Sequence, residues 1–98
     1  MAVLIDTPVW PFRGRRWSHL VSDVSHDELH AFAATALDIP RRAFQGDHYD
    51  VPEELYDAAL AAGAEAVGCR ELLHRLLAAG LRVRKPRGPV VPREPAAG

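Results

Sequence analysis

Residues 2–6 read AVLID, and this short stretch decides the fold. Its four apolar residues, two of them β-branched, are enough for a short buried strand and too few for a buried helix. Asp6 follows at the carboxyl end of that strand, which is where sites gather in open α/β sheets. The stretch therefore predicts a central strand with a polar residue at the functional edge of the sheet.

Strand and helix patterns alternate along the rest of the chain. Ser25 and Glu28 have the spacing of a capping box, which predicts a helix that ends before Pro40. Asp50 or Val51 is expected to cap the next helix. The predicted elements are strand 2–5, strand 19–22, helix 26–37, an extended segment 41–44, a helix from about 52 to 62, strand 64–67, helix 69–79 with Leu72, Leu73, Leu76 and Leu77 facing inward, and strand 81–84.

This order predicts an α/β fold with a short sheet of three to four strands, parallel or mixed, packed by about three helices. Residues 7–18 contain two prolines, a glycine and three arginines, and predict a long loop. Residues 1–84 are expected to form a single domain. Residues 85–98 are rich in proline and basic side chains, and we expect this tail to be disordered or extended.

Composition narrows the class of protein. With 98 residues, nearly half of them apolar and about a quarter charged, the chain fits a soluble globular domain. A single cysteine excludes an intrachain disulfide and suits a reducing cytoplasm. No segment resembles a signal peptide or a membrane span. The net charge of −1 hides an acidic body and a basic tail, a weak hint of an anionic partner.

Polar residues that fall at separate elements suggest a site. Asp6, His19, His48 and Asp50 are predicted to meet at one edge of the sheet. Carboxylates with imidazoles can bind a divalent metal such as Zn, Mn or Fe, and they can equally form a general acid–base pair. Tyr49 is placed with this catalytic group, and Asp23 and His30 are predicted to orient the ligands from behind.

Each of these residues also has a structural interpretation. Asp6 could cap a turn at Thr7, and His19 could be a core histidine bonded to the backbone. Asp50 could do no more than cap a helix, which contributes roughly 1 kcal/mol. The sequence leaves both readings open.

Arginines and aromatic residues alternate in the predicted loop. This pattern suits contact with phosphates and bases, and a solvated loop anchored by its tryptophans is the alternative. The residues predicted to bind substrate are Arg15, Arg16, Trp17 and Arg41.

Seven short motifs, in order, resemble a known family. VLID, WSHLVSD, ELHAFA, PRRAF, HYDVP, AAGAEAV and RELLHRL are similar to an uncharacterised bacterial and phage family, domain of unknown function 4031. The resemblance covers about residues 2–80 and implies no activity. The positions it implies as polar motif residues are Asp6, His19, Asp23, His30, His48, Tyr49 and Asp50.

Three functions follow as hypotheses. The first is a cytoplasmic metal-dependent hydrolase acting on a phosphate ester or nucleic acid, since a bound metal can activate water and arginines can neutralise phosphate. The second is a non-enzymatic module that binds nucleic acid or another anion through the arginine and tryptophan residues. The third is a structural protein that forms a homodimer. None of the three involves a membrane.

Overall fold

The stretch that opens the sequence forms an inner strand of a mixed sheet. The computed structural model describes residues 2–82. Within that range the α/β class and the three helices are confirmed, and five strands form where three to four were predicted. The strands are β1 (Val3–Asp6), β2 (Trp10–Phe12), β3 (Arg15–Ser22), β4 (Tyr49–Pro52) and β5 (Glu65–Val67), and the helices are α1 (His26–Leu37), α2 (Tyr56–Ala61) and α3 (Cys69–Ala78).

Strand β3 organises the sheet because it is long enough to pair with three other strands. β4 runs antiparallel to residues 17–20 of β3. β1 is antiparallel to residues 20–22, and β2 is antiparallel to residues 15–17. Since β4 shares residue 20 with β1 and residue 17 with β2, β1 and β2 lie one after the other on the opposite edge of β3. β5 extends the sheet beyond β1, to which it is parallel.

A β-hairpin, β2–β3, occupies most of residues 7–18, so the predicted long loop is wrong. Arg13 and Gly14 form its two-residue turn, and their φ angles are 54° and 77°. Positive φ at both central positions is the mark of a type I′ turn, whose twist matches that of the paired strands. Such turns usually contain Asn-Gly or Asp-Gly, so Arg-Gly gave a weak signal.

The helices cover the two faces of the sheet unequally. α1 and α2 pack on one face, called the α1 face below, over a core that includes Ile5 and Leu29. α3 packs on the other, the α3 face, where Leu72 and Leu76 join a smaller buried cluster with Leu4. The second cluster lies over β1 and the end of β3 and leaves space beside it on the same face.

Side chains along β3 and β4 alternate between these two faces. Leu20 and Tyr49 are paired across the ladder and are buried in the core of the α1 face. Their neighbours His19 and Asp50, also paired, must therefore point to the α3 face. The period of two thus separates apolar from polar side chains in this part of the sheet.

The segment after α1 differs from its prediction. Arg41–Ala43 form a turn of 3-10 helix rather than an extended segment. Residues 49–52 are strand β4, and neither Asp50 nor Val51 caps a helix. A second 3-10 turn, Glu53–Leu55, then leads into α2, which is much shorter than predicted.

The predicted inward face of α3 is half right. Leu72 and Leu76 are buried, whereas Leu73 and Leu77 are 38 % and 44 % exposed. Leu81 and Arg82 are not in a strand, and the remainder of that predicted strand lies outside the described residues, as does the tail at 85–98. No helix within residues 2–82 is long and apolar enough to cross a membrane.

The start of α1 is confirmed in detail. Ser25 is the N-cap, and its hydroxyl accepts a hydrogen bond from the Glu28 N–H at 3.0 Å. The Glu28 carboxylate, however, accepts from the Ser22 hydroxyl instead of returning to the cap. The predicted spacing therefore located the helix although half of the capping box is replaced by a bond to β3.

Arg75 ties α3 to the sheet. Its guanidinium donates to Asp23 at 2.8 Å and to Glu65 at 2.9 Å. Asp23 also accepts from the Ala2 N–H at 2.7 Å. Burial, the largest single influence on Asp23, favours its neutral form, but these hydrogen bonds and the Arg75 charge outweigh it and lower the pKa of Asp23 below 3.8.

The hairpin turn can be tested by paired substitutions. Gly14→Ala puts a Cβ at positive φ and should destabilise the protein by about 1 kcal/mol, although nothing lies within 4 Å of that Cβ. Arg13→Asn should be neutral or stabilising, because asparagine tolerates positive φ better. Urea unfolding measures both. A Gly14→Ala protein as stable as the parent would contradict the turn.

The Asp23 contacts predict an acid-dependent loss of stability. Because the folded pKa of Asp23 is lowered, its contribution is present above the unfolded value near 3.8 and is lost as the pH falls through the folded pKa. Asp23→Asn should cost about 1–2 kcal/mol at pH 7, and the difference from the parent should shrink in acid. Asp57→Asn, an exposed carboxylate of α2, is the control and should change stability by less than about 0.5 kcal/mol. An equal cost at every pH would refute the assignment.

Candidate functional site

Two histidines and a carboxylate converge on the α3 face where β3 and β4 pair. His19 and Asp50 are directly opposite each other in the ladder, so their side chains are neighbours. His48 immediately precedes β4, and its ring centroid lies 5.4 Å from that of His19. One ligand-type atom from each residue lies within 4.8 Å of the other two. These three residues are called the His–Asp cluster below.

Asp6 fixes the orientation of His19. The Asp6 carboxylate is 3 % exposed and uses both oxygens: Oδ1 accepts the His19 N–H at 2.6 Å, and Oδ2 lies 2.8 Å from His19 Nδ1. The first bond bridges the point where β1 ends and the pairing with β3 is interrupted. The second places the proton of the neutral imidazole on Nδ1, which leaves Nε2 as the free acceptor.

Asp47 does the same for His48. Asp47 is also 3 % exposed, and its Oδ1 lies 2.7 Å from His48 Nδ1. Its Oδ2 lies 3.7 Å from the Arg82 guanidinium, which helps to hold the carboxylate in place. Both histidines of the cluster therefore have a buried carboxylate at Nδ1, and in both the atom left for another ligand is Nε2.

Asp50 contacts the other side of His48. Its Oδ1 lies 3.3 Å from His48 Nε2. The contact with Asp50 is the largest cause of a raised pKa at His48; burial opposes it, and Asp47 adds to it. Asp50 Oδ1 is shielded from solvent, and among residues 2–82 it receives no hydrogen bond of good geometry.

The arrangement has the features of a transition-metal site. Catalytic zinc sites and non-haem iron sites use three protein ligands of this kind, two imidazole nitrogens and one carboxylate. The metal in such sites keeps open positions for water or substrate. Carboxylates at the far nitrogen of metal-binding histidines fix the tautomer and raise ligand basicity. His19, His48 and Asp50 are therefore the residues that could hold a divalent metal.

The four residues predicted to meet do come together, but their roles differ. His19, His48 and Asp50 offer ligand atoms to a common point. Asp6, predicted as a fourth ligand, has both oxygens engaged by His19 instead. Its position is that of an orienting carboxylate, because each of its two oxygens already contacts one nitrogen of His19.

Tyr49 and His30 lie on the opposite face of the sheet from the cluster. The Tyr49 side chain is fully buried, and its hydroxyl lies 2.8 Å from His30 Nδ1. Burial raises the pKa of Tyr49, and burial followed by the Arg41 charge lowers the pKa of His30. Phe44 packs its ring against both residues. This pair satisfies polar atoms within the core, and the structure does not bring it to the predicted site.

Asp23 is also remote from the cluster. It follows β3 at the end where the strand pairs with the start of β1, whereas Asp6 is at the other end of β1. It accepts hydrogen bonds from the Ala2 N–H and from Arg75, which ties this end of the sheet to α3.

The residues predicted to bind substrate are dispersed. Trp17 and Arg15 lie on the α3 face, and Arg15 is ion-paired with Glu54 at 3.3 Å. The pleat sends Arg16, between them, to the opposite face. Arg41 lies in the 3-10 turn after α1, where its charge acts on the His30–Tyr49 pair.

Two concavities flank the His–Asp cluster. The first, of about 380 Å³, lies between the cluster and α3 and is called the helix-side cavity; it is lined by Asp6, His19, Val21, Asp47, His48, Cys69, Leu72, Leu73, Leu76 and Arg82. The second, also about 380 Å³, lies against the β2–β3 hairpin and is called the hairpin pocket; it is lined by Trp10, Phe12, Trp17, Ala43, Gln45 and Asp50. Both volumes are in the range of small-molecule sites.

Sequence reasoning assigned no role to Asp47 or Arg82, and it noted the aromatic residues at 10, 12 and 17 without placing them in a pocket. Asp47 could have been found from the adjacent Asp-His pair, which is the pattern of a carboxylate that fixes an imidazole. Arg82 had no local signal, because its contact with Asp47 spans more than thirty positions. Trp10 and Phe12 were assigned to a loop, and the period of two that places them with Trp17 was therefore not used.

Comparisons with other proteins identify a family without an activity. A family profile described as "Protein of unknown function (DUF4031)" matches residues 3–79, which is most of the chain. Neither the curated proteins nor the solved structures include a match to this sequence.

Proposed function

The chain belongs to the DUF4031 family, and we propose that it binds a divalent metal at the His–Asp cluster and hydrolyses phosphate esters there. One observation carries the proposal. His19, His48 and Asp50 present ligand atoms within 4.8 Å of one another, while buried carboxylates hold both imidazoles by Nδ1. Two carboxylate-bonded histidines beside a shared carboxylate are the arrangement that a metal site needs.

The donor set favours zinc or iron(II) over magnesium or calcium, because two of three ligands are imidazole nitrogens. A metal with three protein ligands lowers the pKa of a water in its open position to about 7, which supplies a nucleophile at neutral pH. In hydrolysis the water oxygen bonds to phosphorus, the ester P–O bond breaks, and the proton of the water ends on the departing alcohol.

The surrounding residues support an anionic substrate. Arg82 lines the helix-side cavity beside His48, and its charge would face a bound phosphate. Arg13 and Arg15 lie at the hairpin on the other side of the cluster, each over an aromatic ring. Asp6 and Asp47 would keep the imidazoles in the ligand geometry, and the leucines of α3 would limit water in the helix-side cavity.

A non-enzymatic nucleic-acid-binding module is the second candidate. The aromatic hairpin pocket and its arginines favour it, because stacking and charge bind single strands without any chemistry. Two measurements distinguish the candidate functions: metal binding at the cluster, and metal-dependent turnover of a phosphate ester. The hydrolase requires both, and the binding module requires neither.

Metal binding is the first test of this proposal. The chelator-stripped full chain should bind about one Zn²⁺, Mn²⁺ or Fe²⁺ by calorimetry, and metal at 100 times Kd should stabilise the fold by about 2.7 kcal/mol. His19→Ala, His48→Ala and Asp50→Asn should abolish binding. Asp6→Asn should weaken it roughly 10- to 100-fold, because His19 loses its orienting partner.

The control for the metal test is His74→Ala. His74 is an exposed histidine of α3 outside the cluster, so its loss should leave the affinity unchanged. Equal loss of affinity in His74→Ala and His48→Ala would overturn the assignment of the site, and so would the absence of binding by the parent.

Hydrolysis is tested with substrates that share a leaving group. The metal-loaded protein should release p-nitrophenol from bis(p-nitrophenyl) phosphate or p-nitrophenyl phosphate, and not from p-nitrophenyl acetate. Asp50→Asn should fall to the rate of the chelator-treated parent, since both remove the metal. Turnover that survives chelation would contradict the proposed mechanism, and metal binding without turnover on either phosphate would favour the binding module.

A further inference from the structure

The β2–β3 hairpin displays aromatic surface that the core does not use. Trp10 is 44 % exposed and Phe12 is 51 % exposed, and both lie outside the two buried clusters. Their rings are stacked on each other, with centroids 6.2 Å apart and planes 27° apart. Exposed aromatic rings grouped in a concavity indicate a binding surface, whereas single exposed ones need no explanation.

The hairpin pocket is open on the same face as the His–Asp cluster. Trp10 pairs with Trp17 across the hairpin, and the pleat puts Trp10, Phe12, Trp17 and His19 on one side. Asp50 belongs to the cluster and also lines the pocket. The Trp10 ring centroid lies 5.7 Å from that of His19. A flat group in the pocket would therefore lie beside the His–Asp cluster.

Charge around the pocket selects among flat groups. The Arg13 guanidinium lies 5.2 Å from the Phe12 ring centroid, and that of Arg15 lies 5.9 Å from the Trp17 ring centroid. Arg15 is also ion-paired with Glu54, while Arg13 places positive charge beside the Phe12 ring of the pocket, which favours a ligand whose flat part is joined to phosphate. Gln45 lines the pocket with an amide that can both donate and accept, as the edge of a base requires.

We infer that the hairpin pocket binds an unpaired nucleobase whose attached phosphate lies at the His–Asp cluster. Bases stack on aromatic side chains only when they are free of a duplex, so the substrate is single-stranded nucleic acid or a nucleotide. This inference rests on the proposed function for the chemistry at the phosphate, while the stacking itself needs no metal.

The aromatic residues have different uses in the test. Trp17 also donates its indole N–H to the Phe12 carbonyl at 2.9 Å, so it supports the hairpin and is left intact. The variants are Trp10→Leu, which keeps apolar bulk without an aromatic face, and Trp10→Phe, which keeps a smaller one. Leu77→Ala is the matched control, since Leu77 is an exposed apolar residue of α3 and lines neither concavity.

The experiment measures binding of labelled oligonucleotides to the chelator-treated full chain by fluorescence anisotropy. Trp10→Leu should bind a twelve-nucleotide single strand about 10-fold more weakly than the parent, as loss of one stacked base predicts. Trp10→Phe should recover part of the affinity, and Leu77→Ala should match the parent. A duplex of the same sequence and an abasic strand of the same length should bind more weakly than the single strand.

Several outcomes decide the inference. Equal affinity for the abasic and normal strands, or for duplex and single strand, would overturn it. A Trp10→Leu variant that is folded normally by circular dichroism and binds the single strand with parental affinity would also overturn it. Binding of adenosine monophosphate that depends on Trp10, without binding of the oligonucleotide, would support the pocket and identify a free nucleotide as its ligand. Metal is absent throughout this experiment. Binding that does not depend on Trp10 would therefore refute the pocket alone, and failure of the protein to take up metal would refute the proposed function alone.

Discussion

The contact on which the site and much of the sheet depend is that between Asp6 and His19. A carboxylate that is 3 % exposed is tolerated only when its oxygens are bonded, and both oxygens of Asp6 bond to the same residue. One bond substitutes for strand pairing at the gap between β1 and β2. The other sets the tautomer of the imidazole. The Asp6 side chain therefore fixes both the backbone position and the tautomer of His19, which is more than the capping of a turn would require.

The location of the site follows from the small size of the domain. α1 and α2 bury the α1 face, while on the other face the fully buried sheet residues beneath α3 are Leu4 and Val21. The rest of the α3 face, along β3 and β4, is left partly open, and the His19 and His48 side chains are 34 % and 25 % exposed there. A half-covered face of a sheet cannot be apolar throughout without inviting association. Partly buried polar residues on this face are stable only if they form hydrogen bonds with one another. This requirement explains why the histidines and carboxylates lie together in a cluster.

The sequence predicted those features that have a local signal. β1, α1 with its Ser25 cap, and α3 all follow from composition and spacing over a few residues. The convergence of Asp6, His19, His48 and Asp50 was predicted from the end of the first strand, the second strand and the loop before the second helix. What failed was β4, because Pro52 with the acidic residues after it resembles the start of a helix. Tyr49 and Val51 alternate with polar neighbours, and that period of two was the better signal; it would have separated Tyr49 from His48 and Asp50 at once.

The balance between a structural and a functional reading turns on Asp50. Histidines bonded to carboxylates occur in cores for stability alone, and the pairs of Asp6 with His19 and Asp47 with His48 would be complete without further partners. Asp50 is a third carboxylate, whose Oδ1 is shielded from solvent and lies 3.3 Å from His48 Nε2, and it raises the pKa of His48. Groups of titratable side chains that shift one another's pKa are typical of functional sites. Asp50 also lines the aromatic hairpin pocket, so a cation held at the cluster would lie beside that pocket.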